Sequence, residues 1–395
     1  MPSRIDNHTL SQLISDHPRA VDGASLSPSD WPLLLQAAHQ EGVGPLLYWR
    51  LSKSGELVSL PTEARNSLRG MYARTWAQNQ KIFEELSVIT RLFHEKGIPV
   101  VVLKGACFAL TIYPDIGLRP MGDLDVLVPA SKLAEAVEIA ESLGYADTIP
   151  EASPGLHDLL SHHACLQKSG SGSITLEIHN SLVADKTFAY AVPVDWFWEQ
   201  TEPLNGSSKN RFENLLVLTP TAQLLYAASH AMLQHGGDKA PLRWYYDLDQ
   251  LIRSSGSRLD WDLLLEQAQK FAWSSALKAA LAQTQDYFGT PVPDTVRIRL
   301  SRQTDHHESL VKKKQSQPGT KILLENQTLA SLNWHGRARL VLALLFPSPA
   351  YMRWRYRLKS SWSLPVYYPF RWWGIARDAL ATVIELLKRQ SVPRT

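Results

Sequence analysis

The sequence predicts an α+β protein: one small mixed α/β unit set between helical regions. Three observations carry this. Residues 1 to about 90 and the stretch from about 211 onward space their apolar residues as helices do. Between them, Ile98 opens a block of short, β-branched and alternating runs. Loop residues (Gly and Pro above all) separate those runs at short intervals. The divisions that follow are a helical region over 1–90, an α/β core over 91–200, a helical domain over 201–300, and a linker with a basic, Trp-rich helical tail over 301–395.

Taken in order, Ser29 and Asp30 stand where a short oxygen side chain caps a helix running from Trp31 to Gln40. Ala73 to Glu95 is a long amphipathic helix, with Trp76, Ile82, Leu86, Ile89 and Phe93 along one stripe and Gly97 ending it. Ile98–Leu103 reads as a buried strand, Ala106–Tyr113 as a short helix, Leu124–Val128 as a second strand and Ser131–Leu143 as a helix stopped by Gly144. A His-rich loop containing His162 and His163 then leads to a third strand, Ile174–His179. Helices are expected over Thr219–Gln234, Tyr246–Ile252 and Trp261–Tyr287, and a polar linker over residues 302–321 with Lys312, Lys313 and Lys314 in a row.

Composition narrows the function classes. A hydrophobic share of 44%, a charged share of 20% and a net charge of +3 are those of an ordinary globular protein, so bulk charge gives no argument for nucleic acid. The two cysteines, Cys107 and Cys165, form no zinc-type pair, and their scarcity fits a reducing cytoplasm. His162, His163 and Cys165 read as a polar turn entering a strand rather than as a metal cluster. No apolar run approaches the roughly 18 residues of a membrane span, and the first 20 residues lack a signal-peptide core.

The chemistry lies in the α/β unit. Side chains alternate along a strand, so Asp123 and Asp125 share one face while Leu124 and Val126 take the other. In the third strand Thr175, Glu177 and His179 share a face, and Glu177 is expected beside the Asp pair. Neighbouring carboxylates repel unless a cation sits between them, and oxygen donors suit a hard divalent ion. Upstream, Lys104–Gly105 marks a strand-to-helix turn, where free N–H groups and an ammonium favour an anion; Arg119 is a second candidate cation for phosphate. Each motif is weak by itself, and their order along the chain gives them weight.

Leu103-Lys-Gly-Ala, Tyr113-Pro, Arg119 with the Asp123-x-Asp125-Val-Leu-Val run, and Leu176-Glu-Ile-His together resemble bacterial nucleotidyltransferase family proteins of the DNA polymerase β superfamily. Fainter matches at Leu224–His230, Trp244 to Asp247 and Leu344–Pro347 extend the resemblance. It implies a polymerase β-like nucleotidyltransferase core and transfer of a nucleoside monophosphate from an NTP, ATP included, to an acceptor hydroxyl with release of pyrophosphate. It also implies a Mg²⁺ or Mn²⁺ site of Asp123, Asp125 and Glu177, with Lys104, Gly105 and Arg119 on the phosphates, and Glu177 helping the acceptor hydroxyl lose its proton. Lys104-Gly105-Ala106 departs from the superfamily's usual Gly-Ser or Gly-Gly turn.

His230, His235 and Asp247 are positioned to line an acceptor pocket, although a hydrogen-bonded core histidine is the simpler reading of His230. The tail sets Arg353, Arg355, Arg357, Lys359, Arg371, Arg377, Lys388 and Arg389 against only Asp378 and Glu385, with tryptophans interleaved and an amphipathic helix over Trp372–Arg389. Three readings stand: docking on anionic lipid, contact with nucleic acid, or a helix packed on the body with solvated cations. Two alternatives to an enzyme follow, a catalytically silent nucleotide-binding or interaction protein and a nucleic-acid-binding protein using the tail. The acceptor is a small molecule, a sugar or a protein.

Overall fold

The computed structural model describes residues 6–15, 26–147, 150, 153, 163–169, 173–182, 192–204, 211–212, 214–234, 237, 240–303, 334–358 and 360–390, with side chains described as far as Arg377. His162, His235, Lys312–Lys314, Lys359 and the side chains of Asp378, Glu385, Lys388 and Arg389 lie outside them.

The architecture is α+β. Four helices come first: α1 (Asn7–Ile14), α2 (Trp31–Gln40), α3 (Gly44–Ser54) and α4 (Thr62–Glu95). The core follows as β1 (Val100–Val102), α5 (Lys104–Thr111), β2 (Asp123–Leu127), α6 (Leu133–Ser142), β3 (Tyr145–Asp147), β4 (His163–Lys168), β5 (Ile174–His179), α7 (Val194–Glu199), β6 (Thr201–Pro203) and β7 (Leu215–Leu218). The second helical region holds α8 (Pro220–Ser229), prolonged by a π-turn over His230–Gln234, then α9 (Leu242–Ser255), α10 (Trp261–Lys270), α11 (Ser274–Phe288) and α12 (Asp294–Arg302). The tail comprises α13 (Trp334–Leu345), α14 (Pro349–Tyr356) and α15 (Leu364–Gln390).

The sheet is seven-stranded, in the order β3-β4-β5-β2-β1-β7-β6. β2 runs parallel to β5 and β1 parallel to β7, while the remaining pairs are antiparallel. Alternation divides the core between its two faces. Val100, Val102, Leu124, Val126, Leu176 and Ile178 pack on Ile82, Phe83, Leu86 and Phe93 of α4 and on Ala136 and Ala140 of α6. Val101, Leu103 and Leu127 join a second cluster containing Leu224, Leu225 and Tyr226 of α8 and Tyr246 and Leu248 of α9. Asp123 and Asp125 share the face of Leu127, so the acidic side of the sheet is turned toward α8 and α9.

Several expectations change. The sheet contains four strands beyond the three expected, and His163–Lys168, read as loop and turn, is β4. The helix expected over Trp261–Tyr287 is two helices. Ala272 takes the left-handed conformation (φ 57°), Trp273 N–H donates to Ala268 O and Ala272 N–H to Gln269 O, a Schellman stop without glycine. Trp76, placed on the buried stripe of α4, is 43% exposed, whereas Ile82, Leu86, Ile89 and Phe93 are fully buried. Asp30 sits at the start of α2, but its carboxylate accepts from Ser27 N–H and Oγ–H rather than capping the helix. The stop at Gly97 (φ 63°) is as expected, with Ile98 N–H closing on Phe93 O.

Candidate functional site

Pairing register builds the site. In the parallel pair, Asp123 faces Thr175, Asp125 faces Glu177 and Leu127 faces His179. Asp125 and Glu177 are therefore lateral neighbours, with Asp123 two residues away along the same face and His179 two residues beyond Glu177. On the far side of β5, Cys165 stands opposite Glu177 and His163 opposite His179, the two rings 5.0 Å apart.

Asp125 is buried, and one of its oxygens, Oδ1, receives both Lys104 Nζ (2.6 Å) and His179 Nε2 (2.9 Å). The same two groups reach Glu177 Oε2 at 3.5 and 3.4 Å. Asp125, Glu177 and His179 each present a donor atom within 4.8 Å of the others, a spacing that can hold a metal ion. Two carboxylates and an imidazole are a donor set that fits a divalent cation, and an ammonium already resting between the carboxylates marks the point where positive charge is stabilised. Asp123 lies outside this closest group but within its field.

The ionisation pattern follows from the packing. The hydrogen bond from His179, together with those involving Asp125 and the charge of Lys104, holds the Glu177 carboxyl well below its ordinary range against the cost of burial. Among the described residues, Asp123 has no such donor. Burial first, then the charge of Asp125, pushes it up to about 6. Burial alone would lower His179 and Lys104; hydrogen bonds from His179 to both carboxylates raise the imidazole, and the charges of Tyr226, Asp125 and Glu177 raise the ammonium. Burial, next to these same groups, pushes up the Tyr226 phenol.

Lys104 opens α5 in a left-handed conformation (φ 46°), unfavourable by about 1–2 kcal/mol for a residue with a Cβ. Strain at a site made by two strands and a helix start is where function tolerates such a conformation. Gly105 follows because nothing larger fits: a Cβ there would stand 2.6 Å from Arg119 Nη1 and 3.1 Å from Met121 Cγ.

Arg119 is buried and paired with Asp247, near enough for its charge to act on Asp123 as well. Its Nη2 donates to Asp247 Oδ2 at 2.8 Å and its Nη1 to Pro120 O at 2.9 Å, while Tyr113 Oη–H donates to Asp247 Oδ1 at 2.7 Å. Asn79 of α4 donates to the carbonyls of Ile116 and Arg119, which fixes the loop entering β2. Asp247 thus belongs to this loop's anchor, and the His230 ring packs 5.1 Å from that of Trp244.

Sequence reasoning left His179 and Tyr226 without a role in the acidic group. His179 was placed on the face of Glu177, so alternation carried that signal; nothing in the sequence brings Tyr226, more than 100 residues from Lys104, beside it.

The fold is that of an α+β protein whose co-facial carboxylates on β2 and β5, with His179, form a group that can hold a metal ion. The chain belongs to the family described as uncharacterised nucleotidyltransferase, whose model matches residues 27–289. Among solved structures, an antigenic nucleotidyltransferase-like protein from Paracoccidioides brasiliensis aligns at 15% identity over 57% of this chain and 94% of its own, with a TM-score of 0.33. No curated protein matches the chain. Among the described residues, no helix is long and apolar enough to cross a membrane.

Proposed function

We propose that the protein transfers a nucleoside monophosphate from an NTP to an acceptor hydroxyl, releasing pyrophosphate, with Mg²⁺ or Mn²⁺ held at the acidic face of the sheet. The observation that carries this reading is the register of β2 on β5, which sets Asp125 against Glu177 with Asp123 and His179 on either side, beside the Lys104–Gly105 start of α5.

Asp125 and Glu177 are the residues to hold the ion, with Asp123 as a further oxygen donor. When bound, the ion supplies neutralisation of triphosphate charge and lowers the pKa of the acceptor hydroxyl. The acceptor oxygen attacks the α-phosphorus as its proton passes to solvent, the bond to the bridging oxygen breaks, and pyrophosphate leaves with that bonding pair. Glu177 remains an anion far below neutral pH, which suits a ligand better than a proton acceptor. His179 orients both carboxylates. Lys104 and the first N–H groups of α5 face the phosphates. Arg119, anchored on Asp247, positions the loop that delivers Asp123. Cys107 and Cys165, neither of them in a disulfide, fit work in a reducing cytoplasm.

The test offers labelled ATP, GTP, CTP and UTP with Mg²⁺ or Mn²⁺, with and without cell extract. Metal-dependent labelling and pyrophosphate release are expected from the wild type, and neither from Asp125→Asn with an unchanged circular dichroism spectrum. Wild-type labelling by that variant would remove the assignment. No labelling of any acceptor by the wild type would favour the silent nucleotide-binding alternative.

A second observation concerns partners. Residues 334–377 contain eight Lys or Arg and no Asp or Glu. Trp362 is 93% and Trp373 62% exposed, and Phe346, Val366 and Phe370 are exposed as well. Cationic side chains among exposed aromatics match the surface of an anionic bilayer, where each Lys or Arg contributes about 1 kcal/mol. Sedimentation with phosphatidylglycerol vesicles, but not with phosphatidylcholine vesicles, is expected, and it should weaken in Trp362→Ala/Trp373→Ala. Salt-sensitive RNA or DNA binding without vesicle binding would reverse the choice.

A further inference from the structure

A cavity of about 270 Å³ lies where α2, α3, α4 and the start of α9 meet the loop entering β2. Its wall includes Arg74, Thr75, Gln78 and Asn79 of α4, Met121 of the loop and Arg243 of α9. Met121 is two residues before Asp123, so one extended segment of at most about 7 Å separates the cavity wall from the carboxylates.

The cations around the acidic face divide into two sets. Lys104 is held by Asp125 and Glu177, and Arg119 by Asp247. Arg74 and Arg243, among the described residues, have no carboxylate within 4 Å. The Arg243 Nε is buried without a hydrogen-bond partner. Oδ1 of Asn79, a residue with no exposure that lines the same cavity, is also without a partner and, being an acceptor, calls for an O–H or N–H of the ligand rather than a phosphate oxygen. Unsatisfied buried polar atoms are rare, and two on one wall, a donor and an acceptor, point to a missing polar ligand. The backbone makes room for this arrangement: a Cβ on Gly42 (φ 69°) would stand 2.5 Å from Arg243 Nη1. Burial, and then repulsion from Arg119, lowers the pKa of Arg243, so an anion placed against it would relieve both.

We propose that this cavity is a phosphate subsite, in which Arg74 and Arg243 bind a phosphoryl-bearing ligand while Asn79, Thr75 and Gln78 add polar contacts. Guanidinium groups suit phosphate oxygens through paired N–H donors. The cavity is at the small end of small-molecule sites, about 300–1,000 Å³, and accommodates part of a nucleotide-sized ligand. The choice of phosphate over other anions rests on the transfer reading; binding itself does not require turnover.

Equilibrium dialysis with labelled inorganic pyrophosphate and with labelled ATP, both in EDTA, tests the site without any metal. The wild type should bind both. Arg74→Met and Arg243→Met should each weaken binding about tenfold or more, the usual effect of losing a charge-assisted donor pair. Arg74 is exposed, so its variant keeps the test valid if Arg243→Met fails to fold. Competition between pyrophosphate and ATP would assign the subsite to the nucleotide's own phosphates; simultaneous binding would assign it to the phosphate of another ligand. No binding by the wild type, or binding unchanged in both arginine variants, overturns the proposal. Loss of transfer in Asp125→Asn with pyrophosphate binding retained would keep the two conclusions separate.

Discussion

Replacing Lys104 by Met removes the one ammonium lying between Asp125 and Glu177, and its consequences for stability and for metal binding have opposite signs. The ammonium is 2.6 Å from Asp125 and 3.5 Å from Glu177, and the carboxylate donor atoms lie within 4.8 Å of each other. At that separation two unit charges repel by about 3 kcal/mol with an effective dielectric constant near 20. Lys104 retains 20% of its side-chain exposure, so solvent screens part of this, and a loss of about 2 kcal/mol is expected in the metal-free protein. For a chain of 395 residues that lowers the melting temperature by about 2–3 °C. A divalent ion entering the wild-type site must displace the ammonium from both carboxylates. Without that competitor, Mn²⁺ should bind about tenfold more tightly, equivalent to about 1.4 kcal/mol. Turnover should fall nevertheless, because the cation facing the phosphates is gone. Calorimetric titration with Mn²⁺ and thermal melts with and without Mg²⁺ measure both signs. Unchanged or weaker Mn²⁺ binding by Lys104→Met would falsify the placement of the ion between these carboxylates.

Further outcomes follow from other parts of the structure. Asp123 has its pKa raised to about 6, so the folded state favours its proton; its contribution to stability is full below pH of about 4 and is lost as pH rises toward 6. Metal-free wild type should therefore show a fall in stability over that window that Asp123→Asn lacks and Mg²⁺ suppresses, and an identical pH profile for the variant would count against it. Arg119→Met leaves the Asp247 carboxylate buried without its main partner, a loss of about 3–5 kcal/mol. The double variant Arg119→Met/Asp247→Leu should recover part of this in denaturant melts, and strict additivity would show the pair to be uncoupled. Ala272→Gly relieves a left-handed alanine and should stabilise the chain by about 1 kcal/mol, while a destabilised variant would mean that packing of the Ala272 methyl outweighs backbone strain.

The site was more legible in the sequence than the sheet that carries it, and the reason is physical. Alternation is a local property, so the shared face of Asp123 and Asp125, and that of Glu177 and His179, could be read residue by residue. Which rung of β2 meets which rung of β5 is a tertiary property. Shifting the parallel register by two residues would keep every apolar side chain in the core and would set Glu177 against Asp123 instead. The observed register is the one that gives Lys104 and His179 a common acceptor in Asp125. Arg119 is similar: its charge and its place before the acids suggested a phosphate partner, but Asp247, 128 residues away, holds it inside. The missed strands have other causes. β4 is only partly buried and presents His163, Cys165 and Gln167 on one face, so it lacks an apolar signature. β7 is four apolar residues running directly into α8, and periodicity cannot separate so short a run from the helix that follows. In each case sequence spacing specified which groups share a face, and long-range pairing decided what those groups meet. The proposed function rests on that second step, since Asp125 and Glu177 come together only through the pairing of two strands.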